Sequence, residues 1–353
     1  MQAIFVGSTG GHPGQTLATW ALITKLKERG LKVGFLKPYG LIRGEAPTPS
    51  GSSCDPDVQL MREAFGFEES DEALCPITAS ENLLAEMVKE SGGSLMERIR
   101  MAFDEVSQEK DAVVIMGAKE IFFGGGLSEL PDSTLVREFN ASVLLVDRYQ
   151  KDHMTLFSLL SLNSFLEGRV KSVILNHVPP EKLDHVEGKI IPFLQEKGLK
   201  SLVAVPEDEI LAAQTVYSIA EVAGGKILCC AEKDDNLVTT VTIGSKLLEG
   251  PLSIFKQVYN KIVLIGLNAG PQGKRQISGI VLTGGKPPGE ILLRVAREQS
   301  IPLILTAADT FQVMEKLEKG NPPMGRRDEF RVHQFLKLIA QHSAGDRWVE
   351  ALL

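Results

Sequence analysis

The 353-residue sequence has no apolar run near the ~18 residues that a membrane span requires, and its start, Met1-Gln2-Ala3-Ile4-Phe5-Val6-Gly7, has no basic segment of a signal peptide. Aromatic residues make up only 6%, no basic run occurs, and the formal net charge is −7, so nothing here stacks on bases or tracks a phosphate backbone. The four cysteines, Cys54, Cys75, Cys229 and Cys230, are too few for a disulfide framework and lack CxxC or other metal-ligand spacing. The neighbours Cys229 and Cys230 follow Ile227-Leu228 and read as small core residues. The histidines are not spaced as metal ligands, and no nucleophile elbow, HExxH motif or calcium loop is present. These absences lead us to expect a cytoplasmic, reduced protein with neither nucleic acid nor membrane as partner.

The chain is 43% hydrophobic and has 33 glycines. At ~100–200 residues per domain, its length predicts two domains with ample core. Short apolar runs at Ala3–Val6, Val33–Leu36, Ala112–Met116, Val143–Asp147, Val173–Asn176 and Leu202–Val205 read as buried strands. Amphipathic stretches separate them, the first carrying Leu17, Ala18, Ala21, Leu22 and Leu26 and closing at Gly30. Strands alternating with helices predict a parallel α/β sheet covered on both faces. A helix over Ile210–Ala223, stopped by Gly224-Gly225, leads into strands at Lys226–Cys230, Val238–Ile243, Lys261–Ile265, Gly279–Leu282 and Leu303–Leu305, a smaller α/β unit. Pro251 opens a further helix through Tyr259, and Gly320-Asn321-Pro322-Pro323 breaks the chain before a helix with the stripe Phe330, Phe335, Leu338 and Ile339. The boundaries expected are 1–214, 215–320 and a C-terminal helical tail, 321–353.

The densest glycine cluster, Gly7-Ser8-Thr9-Gly10-Gly11-His12-Pro13-Gly14-Gln15-Thr16, joins the first strand to the first helix. Backbone amides and the helix dipole there form a cradle for an anion. A nucleoside-triphosphate loop ends Gly-Lys-Ser/Thr, whereas this one ends Gly14-Gln15-Thr16. Glutamine keeps a donor but not the charge, and Thr16 retains a hydroxyl able to hold Mg²⁺. The competing account is a tight turn that needs glycine on steric grounds alone. His12 lies inside the loop as a donor, not as a catalytic group. Gly124-Gly125-Gly126 reads either as a flap over this site or as a plain exposed loop.

Gly7–Thr16, then Val33-Gly34-Phe35-Leu36-Lys37-Pro38, resembles the dethiobiotin-synthetase-like P-loop family, and within it the N-terminal region of long phosphotransacetylases. Val143-Leu144-Leu145-Val146-Asp147-Arg148-Tyr149 and Val205-Pro206-Glu207-Asp208 are similar to that subgroup. Ile243-Gly244, Thr283-Gly284-Gly285 and Asp309-Thr310 resemble its following DRTGG domain. The resemblance implies a site for ATP or another adenine nucleotide, with Mg²⁺. Gly11, His12, Gly14, Gln15 and Thr16 would meet phosphate, and Lys37 would point toward substrate and γ-phosphate. Asn176 would recognise adenine, Pro206 would line its pocket, and Thr16 with Asp55 or Asp57 would bind the metal. It also implies a homo-oligomer and a protein partner in acetate or acyl-phosphate metabolism.

Two departures weigh against catalysis. The loop lysine is Gln15, and the strand-end carboxylate that should precede Gly117 is Met116. Phosphoryl transfer rests on positioning and charge neutralisation, so losing a cation and a metal anchor removes its basis. In the second domain the Asp-Arg signature is replaced around Leu267–Gly273, while Thr283, Gly284 and Gly285 remain, either as a small anion site or as a turn that needs positive φ. Only about 35 residues follow that domain, fewer than a further domain needs, so acetyl transfer to coenzyme A is not expected of this chain alone. The reading is a regulatory or sensor protein that binds a nucleotide or other anionic metabolite. Its rivals are an ATP-dependent ligase with Lys37 as catalytic residue, and an interaction scaffold with vestigial loops.

Overall fold

The computed structural model describes residues 1–10, 14–41, 55–79, 92–118, 121, 131–243, 248–258, 260–269, 275–319, 324–343 and 345–353. They form two compact units, one of residues 1–207 and 324–353, the other of residues 208–323.

The first unit is built on β1 (Gln2–Ser8), β2 (Val33–Leu36), β5 (Ala112–Met116), β6 (Ser142–Arg148), β7 (Val170–Val178) and β8 (Ser201–Pro206), with β3 (Tyr39–Leu41) and β4 (Ile77–Ala79) pairing separately. The six strands run in the order β2-β5-β1-β6-β7-β8, every pair parallel. This is the expected α/β architecture, and each of the six expected runs lies within one of these strands. Unbroken apolar runs form them because both sheet faces are covered: every residue of β2 and β5 is buried. Helix α1 (Gln15–Glu28) follows β1 and ends in a left-handed Gly30. Helix α2 (Pro56–Phe65) starts from Asp55, whose carboxylate accepts the amides of Asp57 and Val58.

The helix Glu329–His342 packs on α1 and β8, and the short helix Arg347–Glu350 packs on β7 and β8. Phe335, Leu338 and Ile339 of the expected stripe are buried there, joined by Val332, Trp348, Val349 and Leu352, while Phe330 is half-buried. The last thirty residues therefore complete the core of the unit that the first 207 begin.

The second unit contains β9 (Gln214–Thr215), β10 (Lys226–Cys229), β11 (Leu237–Val238), β12 (Thr240–Thr242), β13 (Lys261–Ala269), β14 (Arg275–Leu282) and β15 (Leu303–Leu305). Its five-stranded sheet has the order β10-β15-β14-β13-β12 and is mixed, with only β14 and β15 parallel. The helices Val216–Ala223 and Thr310–Lys319 cover one face with Ile219, Ala220 and Val313. Phe255 and Ala296, from segments Gly250–Gln257 and Glu290–Glu298, fill the other.

Three local expectations are corrected. The helix expected over Ile210–Ala223 is cut by β9, because Thr215 is extended and caps the second helix through a bond from Ser218 N to its hydroxyl. The strand expected at Val238–Ile243 divides, β11 pairing with β9 and β12 with β13. The helix expected from Pro251 is a 3₁₀ segment, Gly250–Gln257.

Candidate functional site

In a parallel sheet of this kind, loops at the carboxyl ends of the strands converge on one edge. At that edge, β1 ends beside β5 and β6, and the turn to α1 passes through Gly10 and Gly14, both left-handed with φ of 93° and 94°. Gly11 and His12 lie outside the described residues, as do Gly124–Gly126 and Gly244.

Gly14 N-caps α1 and comes so close to β7 that a Cβ there would stand 2.8 Å from Asn176 Nδ2. Asn176 is 5% exposed, and its side-chain oxygen accepts the amide of His177. Pro206 closes β8 opposite Val178, one strand further on. Gly14→Ala combines a left-handed alanine with that clash. We expect it to lower the unfolding free energy by about 1–3 kcal/mol, read from the urea midpoint. An unchanged midpoint would mean that Asn176 yields freely.

Gln15 is buried, and its carboxamide turns into the fold. Nε2 donates to Val6 O at 2.9 Å and Gly117 O at 3.0 Å, with Ala118 O at 3.3 Å sharing a hydrogen. The residue in the position of the loop lysine thus ties the end of β1 to the chain after β5, as a neutral tether.

Thr16 begins a continuous polar network. Its hydroxyl donates to Asp57 Oδ1 at 2.9 Å, Asp57 Oδ2 lies 2.5 Å from Lys37 Nζ, and Lys37 Nζ lies 2.7 Å from Asp55 Oδ1. Lys37 and Asp55 are buried, at 8% and 2% exposure. Burial pulls the ammonium's pKa down, but the charges and hydrogen bonds of Asp57 and Asp55 outweigh this and hold it above the ordinary lysine value. Of the two acids left open in the sequence, both reach Lys37, and Asp57 also accepts the Thr16 hydroxyl.

Two further carboxylates flank the loop. Thr9 donates its hydroxyl to Asp147 Oδ1 at the end of β6. Asp132, at the start of the helix Asp132–Glu138, accepts the Ala118 amide at 3.0 Å. Both are buried, and Asp132 Oδ1 and Asp147 Oδ2 have no hydrogen-bond partner among the described residues. Burial pushes Asp132 up to about 7 and Asp147 up to about 6, each partly opposed by its hydrogen bonds. Neither is singled out by the sequence. The available signals are Pro131-Asp132-Ser133, a helix start, and a charge closing the apolar run of β6.

A carboxyl whose folded pKa exceeds its unfolded value binds its proton more tightly when folded. The first unit therefore loses stability as pH rises from about 3.8 through 7, because Asp132 must ionise while buried. Asp147 acts in the same direction up to about 6. We expect Asp132→Asn to be more stable than the wild type at pH 8 by a few kcal/mol and to keep only a minor part of that advantage at pH 5. Parallel urea curves at the two pH values check this.

The second unit holds Thr283, Gly284 and Gly285 after β14. Both glycines are left-handed, and their amides donate to Ala308 O and Thr306 O at 2.8 Å each. Thr283 Oγ1 lies 2.7 Å from Thr310 Oγ1, at the start of the helix Thr310–Lys319. The glycine amides are thus used within the fold, which accounts for the glycines as a turn.

Oxygen donors from Thr16, Asp55 and Asp57 are the hard ligands that suit Mg²⁺. The Lys37 ammonium, however, already stands between the two carboxylates. Among the described residues no cluster of three or more histidine, cysteine or acidic side chains is arranged for a metal. No helix among them is long and apolar enough to cross a membrane.

The chain is similar to known proteins and families. A family described as AAA domain matches residues 2–235, and the DRTGG domain matches residues 218–319. Phosphate acetyltransferase from Pseudomonas aeruginosa is 21% identical over 97% of this chain and 51% of its own length. The Pseudomonas putida phosphate acetyltransferase is also 21% identical, over 97% of the chain and 50% of its own length. ATP-dependent dethiobiotin synthetase BioD from Thermodesulfovibrio yellowstonii is 27% identical over 57% of this chain and 85% of its own. The chain spans about half the length of the phosphate acetyltransferases it matches.

Proposed function

The chain belongs to the AAA domain family of dethiobiotin-synthetase-like P-loop proteins and carries a DRTGG domain after it, and from that premise we propose that it is a sensor that binds an adenine nucleotide or a related anionic metabolite without turning it over. The observation that carries this reading is the fate of two side chains. Gln15 gives its amide hydrogens to backbone carbonyls, and Lys37 is engaged by two carboxylates. Neither leaves an uncommitted cation for a transferring phosphoryl group, whereas Gly14 still abuts Asn176 at the end of β7, and Pro206 closes the neighbouring strand. The name phosphate acetyltransferase carried by the relatives is what supports a partner in acetate or acyl-phosphate metabolism, and we infer further that the sensor acts as a cytoplasmic homo-oligomer.

Isothermal titration with ATP and ADP in Mg²⁺, alongside phosphate-release and CO₂-acceptor ligation assays, tests the reading. Binding without turnover is the expected result. The contiguity of Thr16, Asp57 and Lys37 favours one rival, an ATP-dependent ligase. Phosphate release abolished by Lys37→Ala would establish that rival. No binding at millimolar nucleotide would defeat both and leave an interaction scaffold.

A further inference from the structure

Enzymes that handle nucleoside polyphosphates commonly neutralise nearby carboxylates and phosphates with a divalent ion held by carboxylate and hydroxyl oxygens. Here the corresponding oxygens converge on a side chain. Asp55 and Asp57 approach Lys37 Nζ to 2.7 and 2.5 Å, and Thr16 is tied to the other oxygen of Asp57. Asp55 is fixed as well by the start of α2, whose Asp57 amide it accepts at 2.8 Å. Lys37 reaches this position directly from the end of β2, its own amide bonded to Leu74 O.

We propose that the Lys37 ammonium replaces a divalent cation as counter-charge to Asp55 and Asp57, so that the glycine-loop site takes its anionic ligand without a metal ion. The second half of this statement rests on the nucleotide-binding reading, and the first half does not.

Three features of the chain support it. The ammonium is buried and bonded to both carboxylates, so a metal entering their shared space would have to expel a desolvated cation. At the end of β5, where the resemblance implies a further acidic ligand, the residue is the buried Met116. The Thr16 hydroxyl, the one neutral oxygen of the set, donates to one oxygen of Asp57 while the other faces Lys37, which holds that carboxylate toward the ammonium. Among the described residues, Thr16, Asp57, Lys37 and Asp55 thus form one connected network.

Mn²⁺ is a suitable probe because its binding is read by electron paramagnetic resonance without nucleotide or activity. The wild type is expected to bind no Mn²⁺ at this cluster at millimolar concentration. Lys37→Met, which leaves Asp55 and Asp57 facing each other, is expected to bind it and to gain thermal stability from it. Mn²⁺ bound by the wild type and lost in Asp57→Asn would overturn the proposal. Mn²⁺ retained by Asp57→Asn lies elsewhere and leaves the expected result standing. Should Lys37→Met not fold even with Mn²⁺, the comparison of wild type with Asp57→Asn still decides.

ATP titrated in excess EDTA and in excess Mg²⁺ completes the test. Affinities within about threefold of each other are expected, and a tightening by Mg²⁺ of about tenfold or more overturns the metal-free site. If ATP binds in neither buffer, the nucleotide reading fails, while the Mn²⁺ result still judges the role of Lys37.

Discussion

Lys37→Met is expected to lower the unfolding free energy by about 3–5 kcal/mol, the usual cost of removing one partner from a buried ion pair. The loss of the lysine as such is not what costs the stability. Its removal leaves Asp55, 2% exposed, and Asp57 as like charges facing one another in a poorly solvated space. The double variant Lys37→Met/Asp57→Asn is therefore expected to recover most of the loss, since Asp55 keeps its bonds to the amides of Asp57 and Val58. Urea midpoints of the wild type and the two variants measure this. A single variant as stable as the wild type would mean that water already reaches both carboxylates.

A larger effect is expected from shortening the chain. Ending it before Met324 removes Val332, Phe335, Leu338, Ile339, Trp348, Val349 and Leu352, all buried against the first unit. At about 1.5–3 kcal/mol for each buried side chain, the loss approaches or exceeds the ~5–15 kcal/mol by which a typical domain is stable. The truncated chain is expected to lose the cooperative unfolding transition of the first unit. The second unit, with its own core on both faces of its sheet, is expected to keep its transition. Calorimetry on the two chains distinguishes the transitions, and two intact transitions after truncation would refute this assignment of the core. Trp348→Ala offers a milder form of the same experiment, with an expected cost of about 3–5 kcal/mol.

The strands of the first sheet are legible from sequence because both faces are covered, which makes each strand an uninterrupted apolar run such as Ala112–Met116. The stripe Phe335, Leu338 and Ile339 is equally plain, but a stripe states only that a helix has a buried face. It does not name the surface that it covers, which here is α1 and β8. The same limit applies at the site. Gly14, Gln15 and Thr16 mark a strand-to-helix loop from their spacing alone. That Gln15 turns inward depends on Gly117 O and Ala118 O, more than a hundred residues away. Asp132 goes unread, and Asp147 is read only as part of a family-like strand, for a related reason: an isolated acid beside an apolar run carries no period, and only tertiary structure shows that it is buried. In the second unit, Val238–Ile243 reads as one strand, yet Thr239 parts it between two sheets, a choice made by pairing partners and not by local pattern.

The two-part make-up of the first unit also has a consequence for the order in which the molecule takes shape. On a ribosome, residues 1–207 emerge first but lack the helices that close their sheet. Residues 208–323 emerge next with a self-contained core and can fold at once. The nascent sheet lacks its cover at β7 and β8 until the stretch holding Phe335 and Trp348 clears the exit tunnel. Residues 1–207, made before the second unit, are thus finished after it.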